Sequence, residues 1–308
     1  MLINLKQYGL IYVEGVDAEK FLQGQLTCDV TKLAIGQSTL TAHCDPKGKV
    51  NSLFRLIRHA EQQFYLLIRQ DLLNHGLAQL KKYAVFSQVT FSEKNWTIVG
   101  MLDQDLKECG AISPQIRIDL GNRQILCWEQ KMSLEYTQDT QYWDYLDMQQ
   151  GFPILTIIGQ GEFIPQALNL QEIEQAISFQ KGCYIGQETI ARAKYRGINK
   201  RAMYLLQAKT AALVEIGTEI EMQLEHAWRK TGCILSAVNL NGILYLQVVM
   251  SNQLEENQRF RLPVDESELK IIPLRFFRLA CDVYQCFLCL YGEVFVFSSV
   301  PLFYFLPT

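Results

Sequence analysis

Apolar and polar positions change period several times along the chain, and each change predicts an element. Gly9 to Glu14 carries the β-branched and aromatic residues of a short strand. Asp17 then stands as a helix N-cap, with Val16 and Phe21 spaced as a hydrophobic staple, so a helix is predicted through Phe21-Leu22-Gln23-Gly24-Gln25-Leu26. Gln37 to Cys44 alternates like a strand, and Asp45-Pro46-Lys47-Gly48 is a turn because Pro presets one angle and Gly tolerates the next. Strands at Val50 to Ile57 and Phe64 to Ile68 complete an antiparallel meander. Leu72, Leu73, Leu77 and Leu80 recur at helical spacing, and Val85 to Phe91 returns to strand pattern.

Residues 95–130 repeat this mixture on a smaller scale. Asp139 to Gln150 is predicted helical, ended by Gly151 and discouraged from continuing by Pro153. From Ala202 to about Val249, short apolar stretches alternate with turns such as Asn241-Gly242, which predicts a small β-barrel or sandwich. Strands and helices mix without strict βαβ alternation, so the fold class is α+β rather than a doubly wound sheet.

The 308 residues allow about two domains at roughly 150 residues each. A net charge of −3 excludes a global basic field, so nucleic acid would need a local basic patch. The N-terminus lacks the pattern of a signal peptide. Nine cysteines, an odd number at irregular spacing, read as free thiols in a reducing cytosol rather than a disulfide framework.

The richest segment is Gln180 to Arg201. Gly182 and Gly186 bracket Cys183 and Tyr184, permitting a tight loop, and a helix is predicted from Gln187 to Lys194. Cys183 would sit just ahead of a helix N-terminus and two residues after Lys181, and both features favour a thiolate. Such surroundings lower a cysteine pKa from ~8.5 into ~3.5–7.5. The alternative is a buried, inert thiol, the reading preferred for Cys28, Cys44, Cys109, Cys127 and Cys233. Arg192, Lys194, Arg196, Lys200 and Arg201 form a basic run suited to a folate glutamate tail or a phosphate backbone, or else a solvated helix face.

Lys181-Gly182-Cys183-Tyr184-Ile185-Gly186-Gln187-Glu188 resembles the K-G-C-Y-x-G-Q-E signature of the folate-binding YgfZ family, relatives of the glycine-cleavage T-protein. Gly24 to Thr27 with Asp29-Val30, His43 to Lys49, Lys81 to Ser87, Gly151 to Pro153 and Phe163 to Gln166 extend the resemblance over about residues 4–273. It implies three parts around a central folate cavity: a core over 1–200 (subdomains 1–90 with 140–200, and 91–139), a β-barrel over 201–273 and an atypical apolar tail over 274–308. It also implies a cytoplasmic protein, not of the membrane, that binds tetrahydrofolate or a derivative and supports iron–sulfur client enzymes, including tRNA-modifying ones, with tRNA contact through 192–201. Cys183 would be the working thiol, as nucleophile, redox centre or transient cluster ligand, with Lys181 and Tyr184 beside it. The implied folate contacts are Tyr8 (a tryptophan in close relatives), Trp143, Gln187 and Arg192, although Trp143 with Leu146 also reads as a core helix face.

T-protein-like aminomethyltransferases carry an acidic pair where this chain has Gly48-Lys49-Val50-Asn51-Ser52, so no carboxylate is expected at the folate nitrogen and that activity is expected to be absent. A folate-dependent one-carbon transferase and a non-catalytic folate or tRNA-binding module are the competing readings. Beyond Pro273 the character changes: Cys281, Cys286 and Cys289 have part of a ferredoxin-like spacing without a fourth cysteine. Arg278, Asp282 and Glu293 leave runs shorter than the ~20 residues of a membrane span. The tail reads as an aberrant C-terminus of the kind a shifted reading frame produces.

Overall fold

The chain opens with two strands, β1 (Leu2–Asn4) and β2 (Tyr8–Glu14), that join different sheets. The computed structural model describes residues 1–102, 112–173, 175–255 and 257–275, all within the compact unit Met1–Phe277. Cys109, Cys281, Cys286 and Cys289 lie outside the described residues.

Helix α1 (Ala18–Gln25) follows with Asp17 at its N-cap position. The Asp17 carboxylate does not cap it; it accepts from Gln88 N at 2.8 Å, while Asp17 N donates to Gln88 O. Val16 is 70 % exposed, so the expected staple to the buried Phe21 is not made. A tertiary tie to the Gln88 loop thus replaces a local capping motif.

Strands β3 (Ser38–Cys44), β4 (Val50–Ala60) and β5 (Gln63–Arg69) form the expected meander. Its first turn is held by Gly48 N on Asp45 O at 2.9 Å and Lys49 N on Asp45 Oδ1 at 2.8 Å, with Gly48 at φ +77. Helix α2 (Leu73–Tyr83) buries Leu73, Gly76 and Leu80. Strand β6 (Thr90–Lys94) then begins later than the pattern from Val85 suggested. Ser87 N closes a turn on Ala84 O there, and Phe86 is 100 % exposed. These strands form one five-stranded sheet, ordered β3-β4-β5-β2-β6.

Strands β7 (Thr97–Leu102), β8 (Ile116–Asp119) and β9 (Arg123–Trp128) pair antiparallel, and β1 joins them to give the order β1-β7-β9-β8. The second sheet therefore takes a strand from the N-terminus instead of closing within 91–139. Helix α3 (Thr140–Gln149) is capped by Asp139, whose Oδ1 accepts from Gln141 N at 2.8 Å, and Gly151 at φ +73 turns the chain after it. Helix α4 (Gln187–Tyr195) occupies its expected place.

The last part is a seven-stranded sheet of β10 (Arg201–Lys209), β11 (Ile220–Gln223), β12 (Trp228–Thr231), β13 (Cys233–Leu240), β14 (Ile243–Ser251), β15 (Phe260–Arg261) and β16 (Glu268–Ile272). Asn241 and Gly242, at φ +53 and +81, make the β13–β14 hairpin turn that both residue types favour. The class is α+β, with sheets dominating. One apolar core lies among the first sheet, α1, α2 and residues 152–190; another joins β1, β2 and the second sheet around Trp143.

Candidate functional site

Two places gather the residues singled out in the sequence. The first is the Cys183 loop. Gly186, at φ +80, stands at the N-cap of α4, so the chain reaches the helix through a left-handed turn. A Cβ on Gly186 would meet Asp45 O at 2.7 Å and Gly48 Cα at 2.8 Å, distances real Cβ atoms essentially never show. The Asp45–Gly48 turn and the Cys183 loop are therefore interlocked backbone to backbone, and Ile185 N ties the loop to Gly24 O at 3.2 Å. Cys183 is exposed, whereas Cys28, Cys44 and Cys127 are buried and Cys233 is intermediate. Burial pushes the Cys28 thiol up to about 11 and the Cys127 thiol to about 12, so both stay protonated.

Lys181 has a different place from the one its spacing suggested. Only 8 % exposed, its ammonium donates to the carbonyls of Gln23 and Leu26 at 2.6 Å and of Cys28 at 2.7 Å. An ammonium has three N–H donors, and all are committed to the end of α1, leaving none for the Cys183 sulfur. Burial lowers its pKa to about 8. Tyr184 is buried with Lys181 Nζ 4.6 Å from its ring centroid, and its hydroxyl pKa is raised above the usual range by burial and by Cys44. Tyr184 is thus an apolar anchor for the loop. Gln187 opens α4 and is half-buried.

The second place is a cavity of about 50 Å³ between the two N-terminal sheets and α3. Tyr8 from β2, Arg55 from β4, Arg69 from β5, Asp147 from α3 and Phe152 line it, with aliphatic neighbours including Leu67 and Ile125. Tyr8 hydroxyl donates to Asp147 Oδ2 at 2.9 Å, and Arg123 donates to Asp147 Oδ1 at 2.7 Å. Burial and Asp147 push the Tyr8 phenol far above its usual range, so it remains a donor. Arg69 forks onto both oxygens of Asp144 at 2.7 and 3.1 Å.

Trp143 does not line this cavity. It is 0 % exposed, the Arg123 guanidinium carbon lies 4.3 Å from its ring centroid, and Gly100 gives the close approach that a Cβ would block. A ligand stacking on Trp143 would have to displace core contacts; the indole instead packs against Arg123. Arg192 also stays away from the cavity lining; it is exposed and pairs with Glu188 at 2.6 Å. Lys194 Nζ sits 3.8 Å from the Phe179 ring centroid, while Arg196, Lys200 and Arg201 are exposed.

Sequence reasoning missed Asp147, Arg55 and Arg69. The early strand carries no carboxylate at Gly48 to Ser52, as the sequence reads, and α3 delivers Asp147 to the cavity from the other side. The signal was present, since Asp147 follows Trp143 by one helical turn and so shares its buried face. Among the described residues, no group of three or more His, Cys, Asp or Glu is placed to hold a metal. No helix among them is long and apolar enough to cross a membrane.

Comparison with known proteins matches these parts. Residues 1–101 match the GCVT N-terminal domain and residues 199–266 the YgfZ β-barrel domain. An uncharacterized protein of Haemophilus influenzae is 54 % identical over 275 residues, 89 % of this chain and 97 % of its own length. The tRNA-modifying protein YgfZ of Photorhabdus laumondii is 37 % identical over 303 residues, 89 % of this chain and 92 % of its own. The crystal structure of the glycine cleavage system aminomethyltransferase T from Bartonella henselae superposes with a TM-score of 0.69 at 15 % identity, covering 90 % of this chain and 87 % of that one. At that identity the likeness establishes the fold alone. With residues 1–101 and 199–266 matched and a relative of this identity aligned along most of the chain, the chain belongs to the YgfZ family.

Proposed function

We propose that this protein binds tetrahydrofolate or a derivative in the central cavity and works through Cys183 to support iron–sulfur cluster assembly or repair in cytoplasmic client enzymes, including enzymes that modify tRNA. The observation that carries the reading is the contrast among the described cysteines: Cys183 is exposed on a loop built by interlocking glycine turns, and the others are withdrawn. A sulfur that must reach a client needs this placement, and a structural thiol does not. The Photorhabdus relative, a tRNA-modifying protein, supports the tRNA part, and the match to the GCVT N-terminal domain supports the folate part. Tyr184, packed under Lys181, and Gly186, locked on the Asp45 turn, hold the loop in one shape.

The cavity's donor set fits a folate. Tyr8 and Phe152 supply rings, Asp147 supplies acceptor oxygens and Arg55 supplies donors. At about 50 Å³ it holds only a few waters, so a pterin enters by displacing lining side chains. A bound reduced folate would supply a one-carbon carrier, and the protein's share is to bind and orient it. A tetrahydrofolate titration followed by tryptophan fluorescence tests this, with Trp143→Phe as the control that keeps the core filled. Saturable quenching supports the reading, and a flat titration overturns it. For the thiol, limited alkylation and mass spectrometry should label Cys183 first; equal labelling of all cysteines counts against its role.

A second reading, a folate-dependent one-carbon transferase, is favoured by Asp147, a carboxylate that α3 brings into the cavity. Turnover of methylene-tetrahydrofolate with small-molecule or tRNA acceptors would establish it, and its absence across acceptors would remove it. Contact with tRNA falls to the exposed Arg196, Lys200 and Arg201, with Arg192 at its margin. Such binding would weaken steeply with salt.

A further inference from the structure

Arg55 is the unmatched charge of the central cavity. Around it, Arg69 is paired with Asp144 and Arg123 with Asp147, so every neighbouring guanidinium has a carboxylate. Among the described residues the Arg55 side chain has neither an ion pair nor a hydrogen bond; it is half-buried, lines the cavity and lies 5.0 Å from the Phe152 ring centroid. Its five N–H donors have no protein acceptor, while its nitrogens keep some contact with solvent at the cavity mouth. Partial loss of hydration without a protein partner works against the folded state, so removing the charge should not destabilise the empty fold. Burial lowers its pKa to about 10, which leaves it charged at neutral pH.

The neighbours define what it is for. Asp147 touches the same space, and each of its oxygens already accepts one hydrogen bond, from Tyr8 or Arg123, with a lone pair left over. Donor and acceptor thus stand side by side in an aromatic and aliphatic slot. A flat heterocycle with a lactam edge, a C=O beside an N–H, matches that pair. A carboxylate would meet Arg55 but be repelled by Asp147. We propose that Arg55 reads the 4-oxo oxygen of a pterin ring while Asp147 accepts from the adjacent ring N–H, so that the pterin, not the glutamate tail, is seated in the cavity. This rests on the folate reading given under Proposed function.

The shared acceptor chemistry has two sources in folate, the pterin carbonyl and the tail carboxylates, and the arms of the experiment separate them. 5-Formyl-tetrahydrofolate, the tail-less 6-methyl-tetrahydropterin and p-aminobenzoyl-glutamate are titrated calorimetrically into the full chain and into Arg55→Met and Arg55→Lys. Unliganded melting temperatures are measured in parallel. Arg55→Met should melt no lower than the parent and bind the folate and the tail-less pterin about ten- to a hundredfold more weakly, the loss expected for one charge-assisted hydrogen bond. Arg55→Lys should recover part of the affinity. The inference is overturned if Arg55→Met binds the pterin as the parent does, if it binds normally but melts lower, or if the lost affinity is confined to p-aminobenzoyl-glutamate. If the parent binds neither folate nor pterin, the folate reading itself fails, an outcome distinct from equal binding by parent and variant.

Discussion

At the scale of single residues, a buried charge or polar group acts through the partners its position gives it, not through its distance along the chain. Lys181 stands two residues from Cys183, which suggests a cation beside a thiolate, but the fold spends its ammonium on the carbonyls of Gln23, Leu26 and Cys28. Replacing it with methionine leaves those carbonyls without their donor. Lys181→Met should therefore lose about 2–4 kcal/mol in urea unfolding, the range for hydrogen bonds to a buried charge. If the variant keeps its stability and only alkylates more slowly at Cys183, the lysine belongs to the sulfur after all. His43 makes a second case. It is fully buried and neither ring nitrogen has a partner, so burial, helped by His75 and opposed by Asp45, lowers its pKa from 6.5 to about 4. Between those values the unfolded chain binds more protons than the native one, so stability falls as pH drops from 6.5 towards 4. The full drop corresponds to roughly 3 kcal/mol. His43→Leu should flatten this part of the pH–stability curve in urea titrations; an unchanged slope would assign the acid sensitivity to other groups.

At the scale of elements, local sequence chemistry was legible wherever the element also solved its own problem locally. Asp139 caps α3, Gly151 ends it and Asn241-Gly242 closes a hairpin, each as the residues alone imply. It misled where a distant segment competed. Asp17 prefers Gln88 to its own helix, and the apolar run from Val85 is an exposed turn because β6 starts at Thr90. The cavity was the least legible feature. Tyr8, Arg55, Arg69 and Asp147 come from β2, β4, β5 and α3, and no spacing in sequence encodes their meeting. The Cys183 loop was legible as a glycine-flanked bend, but not its lock on the Asp45 turn. That lock is directly testable. A methyl group at Gly186 would overlap Asp45 O and require a left-handed residue with a side chain. Gly186→Ala should cost about 1–3 kcal/mol in thermal unfolding and raise the alkylation rate at Cys183 as the loop loosens. Unchanged values for both would mean that the loop is not held by this contact.

At the scale of the whole molecule, the sheets are tied together by segments that reach across the chain. Strand β1 leaves the N-terminus to complete the second sheet, and α3 carries the Met148 cluster against Val238 of the last sheet. The same cluster takes in Ile272 and Leu274, and Arg275 N donates to Gln149 O at 2.9 Å at the end of α3. This changes the truncation that the change of character after Pro273 suggests. A chain ending at Pro273 loses the half-buried Leu274 and a hydrogen bond to α3, whereas a chain ending at Phe277 retains both. Burial of an aliphatic side chain contributes about 1.5–3 kcal/mol when complete, and a hydrogen bond about 1 kcal/mol. With Leu274 only partly covered, the shorter chain should be about 1–2 kcal/mol less stable than the longer one in urea unfolding. Because α3 carries Asp147, its weakened end should also lower folate affinity in the same preparation. Equal stability of the two truncated chains would show that the contacts of Leu274 and Arg275 do not hold α3 in place, and that the cavity wall is set by β1 and the second sheet instead.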